Sequence, residues 1–152
     1  MKHMEFDLSL AQKPSLARRL GAMLYDSLLL VGILMIALGL VVVPYGLLTG
    51  EELHQHHRLL EQLYIFFVVG AFYVYFWTHG GQTLGMRAWR LRLVTAAGGN
   101  IGLSVAVKRF LLAVPSIALL GLGLWVSMFD RDGLAWHDRQ SQTRVVLLPK
   151  AA

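Results

Sequence analysis

Cysteine is absent from this 152-residue chain, and charged residues make up only 15% of it. The absence of cysteine excludes disulfide bonds, thiol catalysis and cysteine-ligated metal sites. Soluble domains usually have about a quarter of their residues charged, whereas 56% of the residues here are hydrophobic. So much apolar surface in a chain of one-domain length needs lipid or a large partner to cover it. The composition therefore predicts an integral membrane protein in contact with the lipid bilayer.

Two apolar runs are long enough to cross a bilayer, whose hydrocarbon core of about 30 Å needs roughly 20 helical residues. The first run extends from Leu20 to Val43, contains the single charge of Asp26, and is predicted to end at Pro44–Gly46. The second run extends from Leu59 to Thr78, and Gly80–Gly81 follows it. The first run lacks a signal-peptide cleavage site, so we expect it to remain as a membrane helix.

A third apolar region, Phe110–Phe129, is interrupted by Pro115, Gly121 and Gly123, and Ile101–Arg109 before it has the pattern of a separate amphipathic helix. This region predicts either a third membrane helix broken by proline and glycine or a re-entrant hairpin that folds back at Pro115. Non-helical backbone at membrane depth is tolerated where other helices shield it.

Positive charge predicts the orientation. Lysines and arginines precede the first run and follow the second, while the loop between the runs is acidic, so the N-terminus is expected to be cytoplasmic. The C-terminal tail is also basic, which conflicts with a third full crossing and favours the fold-back. Arg90–Val94 and Thr143–Leu148 have strand-like composition, Gly98–Gly99 supplies a turn, and the strands can pair only on one side. We therefore predict an all-α membrane protein with a small cytoplasmic strand pair.

Asp26 is the most informative polar residue, because a carboxylate at membrane depth costs about 2.5–3.5 kcal/mol on insertion scales and needs a partner or water. Two interpretations stay open: an ion- or proton-binding carboxylate, and a structural anchor paired with an arginine. Arg19 shares its helix face but lies about 10 Å away along the axis. Each residue therefore needs a partner elsewhere, and Arg109 or Arg87 could serve Asp26.

Two further clusters could bind a cation. Asp130, Asp132, His137 and Asp138 lie close together in the tail and could bind an ion or relay protons, although their spacing favours the alternative of a polar turn after a helix. The loop between the spans contains further imidazoles that could ligate a divalent metal, with a solvated loop as the alternative. These imidazoles belong to His54, His56 and His57.

The chain resembles the RDD family of bacterial membrane proteins, which is named for one arginine and two aspartates. The resemblance is carried by RRLGAMLYD, with Arg19 and Asp26, by GQTLGMRAWRLRLVTAAGGNIGLSVAVKRFL, which contains Arg109, and by AWHDRQSQTRVV, where we take Asp138 as the second aspartate. The lysine usual after the second glycine of the GxTxGK motif is replaced by Met86–Arg87. The resemblance implies a polar network of these four residues and a location in the bacterial inner membrane. It also implies transport of an ion or small solute, since sodium/proton antiport is attributed to some members.

We expect a cytoplasmic tail at residues 1–16, an RDD-like membrane domain at 17–148 and a short tail at 149–152. Cation/proton exchange through Asp26 is the leading functional hypothesis, and because two or three spans cannot readily enclose a pathway it requires a homo-oligomer. The alternative is a non-transporting accessory or scaffold subunit that binds another membrane protein. The sequence shows no cofactor motif and no complete catalytic site, so neither an enzyme nor a cofactor is expected. The basic residues do not line one amphipathic face, so no nucleic acid partner is expected.

Overall fold

The structure, a computed structural model, describes residues 12–51, 53, 57–119 and 121–149. The predicted architecture is confirmed: the described chain is mainly helical, with two candidate membrane spans, a bent pair of shorter helices and a small antiparallel sheet. In chain order the elements are α1 (Leu16–Thr49), α2 (Arg58–Thr78), α3 (Leu84–Ala88), β1 (Leu91–Thr95), α4 (Leu103–Ala118), α5 (Leu122–Phe129), α6 (Trp136–Gln140) and β2 (Thr143–Leu147).

The first span is longer than the sequence predicted. Ser15 caps its start by accepting a hydrogen bond from the backbone N–H of Arg18. At 34 residues, α1 is about 51 Å long. The prediction that it ends at Pro44–Gly46 was wrong, because the helix continues through Pro44 to Thr49. Proline removes one helical hydrogen bond but is tolerated in membrane helices. The helix ends instead at Gly50, which has φ 71° and donates its N–H to Gly46.

The second span, α2, agrees with the predicted run to within one residue. Its Tyr64 hydroxyl donates a hydrogen bond to the carbonyl of Ala37 at 3.1 Å, which ties α2 to α1. Gly80 and Gly81 follow the helix with φ values of 121° and 73°, a left-handed backbone that turns the chain toward α3. Gly81 also passes close to the sheet, where a Cβ would lie 2.4 Å from the Leu93 carbonyl oxygen.

The third apolar region is a bent helix pair, but its boundaries differ from the predicted ones. α4 runs without a break through Arg109 and Pro115, so the predicted separate helix ending at Arg109 and the fold-back at Pro115 were both misplaced. The axes of α4 and α5 differ by 95°. The bend lies between the end of α4 and the start of α5, where Gly121 adopts φ 72°. Glycine reaches this left-handed conformation without the steric cost of a side chain.

The predicted strand pair is confirmed. β1 and β2 are antiparallel, with Leu91 opposite Leu147 and Thr95 opposite Thr143. Arg90 lies outside the strand because its φ of 56° is left-handed. The turn at Gly98–Gly99 is also present, since Gly98 has φ 88° and donates its N–H to the Thr95 carbonyl. Because β2 pairs with β1, the chain returns after α5 to the side from which α4 starts.

The core lies at the sheet end of the molecule. Apolar side chains of the sheet, the spans and α4 are buried there together: Ala22, Trp77, Met86, Leu91, Leu93, Ile101, Ala106 and Phe110. All the buried residues of α1 fall between Arg19 and Leu30. The rest of α1 exposes large apolar side chains such as Leu40 and Leu47. This pattern suits a helix whose far half lies in lipid.

Candidate functional site

Asp138 lies at the centre of a buried ion-pair cluster. Its carboxylate Oδ2 is 2.7 Å from Arg19 Nη1, and its Oδ1 is 2.6 Å from Arg109 Nη1. The three side chains are at most 5% exposed. Arg19 forms a hydrogen bond to Asp138, whereas the Arg109 contact is an ion pair without good hydrogen-bond alignment. The cluster joins the first turns of α1 to the middle of α4 through the short helix α6.

Neighbouring groups fix each member of the cluster. The backbone N–H of Ala135 donates to Asp138 Oδ2 at 2.9 Å, which places the carboxylate over the start of α6. Arg19 Nη2 donates to the Gly133 carbonyl at 2.8 Å. Arg109 Nη1 donates to Thr143 Oγ1 in β2 at 2.5 Å. The Arg109 guanidinium also lies 5.2 Å from the ring centroid of Trp77 in α2, within range of a cation–π contact.

The two arginines keep Asp138 ionised. Burial alone would raise the pKa of this carboxyl, but the attraction of Arg109 and then of Arg19 outweighs burial and holds the pKa below its ordinary value. A buried pair of this kind is costly to break, because removing one partner leaves an uncompensated charge. The cluster therefore acts as a clamp that locks the returning tail onto α1 and α4.

His137 extends this clamp toward the helix bend. Its Nδ1 lies 2.9 Å from Ser116 Oγ in α4, and its Nε2 lies 3.7 Å from Asp138 Oδ1. Burial, followed by repulsion from Arg109, lowers the pKa of His137 from 6.5 to about 4. The imidazole is therefore neutral at pH 7. A hydrogen-bonded serine and histidine could act as a nucleophile and its general base, a pair that the sequence alone did not indicate.

The environment of Ser116 argues against catalysis. The residue is 3% exposed, and a Cβ built on Gly123 of α5 would lie only 1.7 Å from its Oγ. α5 thus covers the hydroxyl, and only a glycine fits at that contact. The Ser116–His137 hydrogen bond therefore joins α4 to α6 at the position where α5 packs against Ser116.

Asp26 lies apart from the ion-pair cluster. The prediction that Arg109 or Arg87 is its partner was wrong. Its Oδ2 accepts a hydrogen bond from Thr83 Oγ1 at 2.5 Å, and its Oδ1 accepts one from the Gly85 N–H at 2.8 Å. Thr83 also caps α3 by accepting from the Met86 N–H at 3.1 Å. The carboxylate thus accepts the free N–H of Gly85 at the start of α3, where a negative charge is favoured.

The close approach of α3 to α1 depends on glycine. A Cβ on Gly85 would lie 2.2 Å from the Ala22 carbonyl oxygen and 2.8 Å from Asp26 Oδ1. The sequence showed GQTLGMR as part of a family motif but did not indicate Thr83 and Gly85 as partners of Asp26. Threonine directly before an apolar helical segment is a capping signal and could have predicted the helix, although not the carboxylate that it binds.

The tail cluster separates into two parts. His137 and Asp138 belong to the buried clamp, whereas Asp132 is exposed and Asp130 forms a turn. Asp130 Oδ2 accepts hydrogen bonds from the N–H groups of Leu134 and Asp132, and its other oxygen pairs with Arg139. The Leu134 hydrogen bond is the main reason that the pKa of Asp130 is lowered. These contacts match the alternative interpretation of a polar turn.

Two of the three candidate metal-binding histidines, His54 and His56, lie outside the described residues. The ring of His57 packs edge-on against Tyr45, with a centroid separation of 5.8 Å. Within the described part of the chain, no group of three metal-ligating side chains is present.

A half-open cavity of about 550 Å³ lies between α1, α2, α4 and α5. Most of its wall is apolar, including Phe66, Val69 and Phe110. The charged side chains of Arg19, Asp26 and Arg109 also line it, together with the neutral His137. The cavity is therefore the place where the clamp and the Asp26 contact meet a space large enough for a ligand.

The RDD family model matches residues 13–142. The chain therefore belongs to the RDD family, as the motifs around Arg19, Asp26 and Asp138 predicted. No curated protein and no solved structure matches the chain.

Proposed function

We propose that this member of the RDD family binds an ion or small solute in the cavity between its spans and moves it across the bacterial inner membrane. The observation that carries the proposal is the cavity itself, which lies between helices long and apolar enough to span a membrane and adjoins three buried charged side chains. Its volume of about 550 Å³ falls within the roughly 300–1,000 Å³ of ligand pockets, which are mostly apolar with a few placed polar groups. Intramembrane ionisable residues commonly mark such pathways.

The contacts of Asp26 weaken the hypothesis of cation/proton exchange at this residue, which the sequence had favoured. Each carboxylate oxygen already accepts a hydrogen bond, one from Thr83 and one from Gly85. A proton or cation that binds there competes with these donors and loosens the contact between α1 and α3. We therefore assign Asp26 a structural role first, as the residue that holds α3 against the first span.

The same proposal includes orientation and assembly. The basic segments before α1 and after α2 favour a cytoplasmic N-terminus. Because β2 pairs with β1, both strands lie on the same side of the membrane.

Two spans and a bent helix pair cannot readily enclose a pathway, so we propose a homo-oligomer. The large apolar side chains exposed along α1 can contact a second copy as well as lipid. We propose no enzymatic activity, because α5 covers Ser116.

The test of transport uses wild-type protein in proteoliposomes. A pH dye inside reports proton movement during sodium, potassium or lithium pulses, and capacitive currents on a supported membrane report movement of octanesulfonate, an anion that stays ionised. We expect movement above that of empty liposomes for at least one probe. If all four probes match empty liposomes, transport as proposed here is wrong.

The second candidate is a non-transporting accessory subunit. It is favoured by α1, whose buried residues all lie in its first half while the second half exposes large apolar side chains. Crosslinking in native membranes distinguishes the candidates. One dominant partner at fixed stoichiometry supports an accessory role, whereas recovery of this chain alone or crosslinked to itself contradicts it.

A further inference from the structure

The two arginines at the cavity share a single carboxylate. Arg19 and Arg109 both pair with Asp138, at 2.7 Å and 2.6 Å. Each guanidinium carries five N–H donors, and the Nε atoms of both have no hydrogen-bond partner among the described residues. Both side chains are about 95% buried, with 5% and 4% exposure. A buried donor without a partner is costly, so both guanidiniums keep donor capacity for a further acceptor atom.

The local charge also favours an anion. Two positive charges face the one negative charge of Asp138, and the neighbouring His137 is neutral at pH 7 because its pKa is about 4. Asp26 lies seven residues farther along α1, or about 10 Å. Asp26 keeps its negative charge there, but it lies farther from the guanidiniums than Asp138, which contacts both. The positive charge near Arg19 and Arg109 is therefore not fully balanced by nearby carboxylates.

The rest of the cavity suits a hydrocarbon chain rather than a hydrated ion. Its wall includes Phe66 and Val69 of α2 and Phe110, Val114 and Ile117 of α4. The cavity also lies between helices whose outer surfaces are apolar, which suits a ligand with an apolar chain. A ligand with an anionic head near the arginines and an apolar tail along the rest of the cavity would match both regions of the wall.

We propose that the cavity binds a lipid-like anion, a single-chain amphipath whose carboxylate or phosphate head contacts Arg19 and Arg109 and whose chain lies against Phe66 and Phe110. This inference rests on the proposed use of the cavity as a binding site but not on transport. Its test therefore measures binding alone. If the protein transports another solute but does not bind such an anion, the proposed function stands and this inference is wrong.

The test is native mass spectrometry of the full chain in an uncharged detergent. Dodecyl phosphate, dodecyltrimethylammonium and inorganic phosphate are added separately. We expect a one-to-one adduct with dodecyl phosphate at occupancy at least about tenfold above that of the other two, because the cation lacks the charge attraction and inorganic phosphate lacks the apolar chain.

A cavity-filling variant provides the second measurement. Ala113 lines the cavity, so Ala113→Trp should reduce dodecyl phosphate occupancy about tenfold while leaving the arginines unchanged. Leu111, on the same helix, is 52% exposed and is absent from the cavity wall, so Leu111→Trp is the matched control and should bind as wild type does. Equal occupancy of the anionic and cationic amphipaths in wild type overturns the proposal. So does full binding by a folded Ala113→Trp, or occupancy by inorganic phosphate equal to that of dodecyl phosphate.

Discussion

Asp138 Oδ2 lies 2.7 Å from Arg19 Nη1, although the two residues are 119 positions apart in the chain. Arg109 approaches the other carboxylate oxygen at 2.6 Å. The contact explains how a short tail helix with few residues of its own is held on the membrane domain. It also connects the arginine and the second aspartate of the RDD family within one buried ion-pair cluster, separate from the first aspartate.

Asp138→Asn should destabilise the protein by about 3–5 kcal/mol, because it leaves two buried guanidiniums without a counter-charge. The measurement is the free energy of unfolding in mild detergent, obtained by denaturant titration. Asp132 is an exposed tail residue, so Asp132→Asn is the matched control and should stay within about 0.5 kcal/mol of wild type. Equal stability of the two variants would contradict the clamp.

Asp26 and Thr83 should be energetically coupled. Asparagine at position 26 loses one of the two acceptor oxygens that receive the Thr83 hydroxyl and the Gly85 N–H. Asp26→Asn and Thr83→Val should each destabilise the protein, and a double-mutant cycle should give a coupling of about 0.5–3 kcal/mol. Additive effects would show that the two side chains do not interact. The pair Asp26→Asn and Arg109→Gln should show less coupling, since Asp26 does not bond to an arginine.

Stability should fall in mild acid because of His137. Its folded-state pKa of about 4 lies below the ordinary 6.5, so the unfolded chain takes up a proton first as the pH drops. The free energy of unfolding therefore decreases from about pH 6.5 to pH 4. The lowered pKa of Asp138 acts in the same direction at still lower pH, since its stabilising contribution is lost when it is protonated.

His137→Gln should flatten this decrease when unfolding is measured at several pH values in detergent. His79, at the exposed end of α2, provides the control His79→Gln, which should keep the wild-type slope. If His137→Gln and wild type lose stability equally between pH 6.5 and 4, the buried neutral imidazole is not the cause.

The absence of cysteine makes the orientation directly testable by single-cysteine labelling. Asp132→Cys in the tail and Ala97→Cys in the turn after β1 should be protected from a membrane-impermeant maleimide in intact cells and labelled after permeabilisation. Glu51→Cys, in the loop between the spans, should be labelled in both cases. Labelling of Asp132→Cys from outside would contradict the proposed cytoplasmic tail.

The parts of the fold that depend on composition and alternation could be predicted from the sequence. The second span and the strand pair agreed to within a residue or two, because apolar length and β-branched alternation define them locally. The resemblance to the RDD family implied a network of four polar residues, of which Arg19, Arg109 and Asp138 lie together, whereas Asp26 has other partners.

Features that depend on tertiary contacts could not be predicted in the same way. α1 continues through Pro44, since a membrane helix can lose one hydrogen bond without ending. The partners of Asp26 lie 57 and 59 positions away in the chain and are a hydroxyl and a backbone N–H, whereas charge alone suggested an arginine. The bend falls at Gly121 instead of Pro115, because Pro115 keeps its φ within the helical range and Gly121 has the left-handed φ that turns the chain.

The most direct test of the central claim, that the cavity is the route of the solute, compares transport in wild type, Ala113→Trp and Leu111→Trp proteoliposomes. The probe is whichever of sodium, potassium, lithium or octanesulfonate the wild type moves. We predict a loss of about tenfold or more in Ala113→Trp, where the indole fills the cavity, and wild-type movement in the exposed control Leu111→Trp. Equal movement by a folded Ala113→Trp and wild type, or no movement of any probe by wild type, would contradict the account.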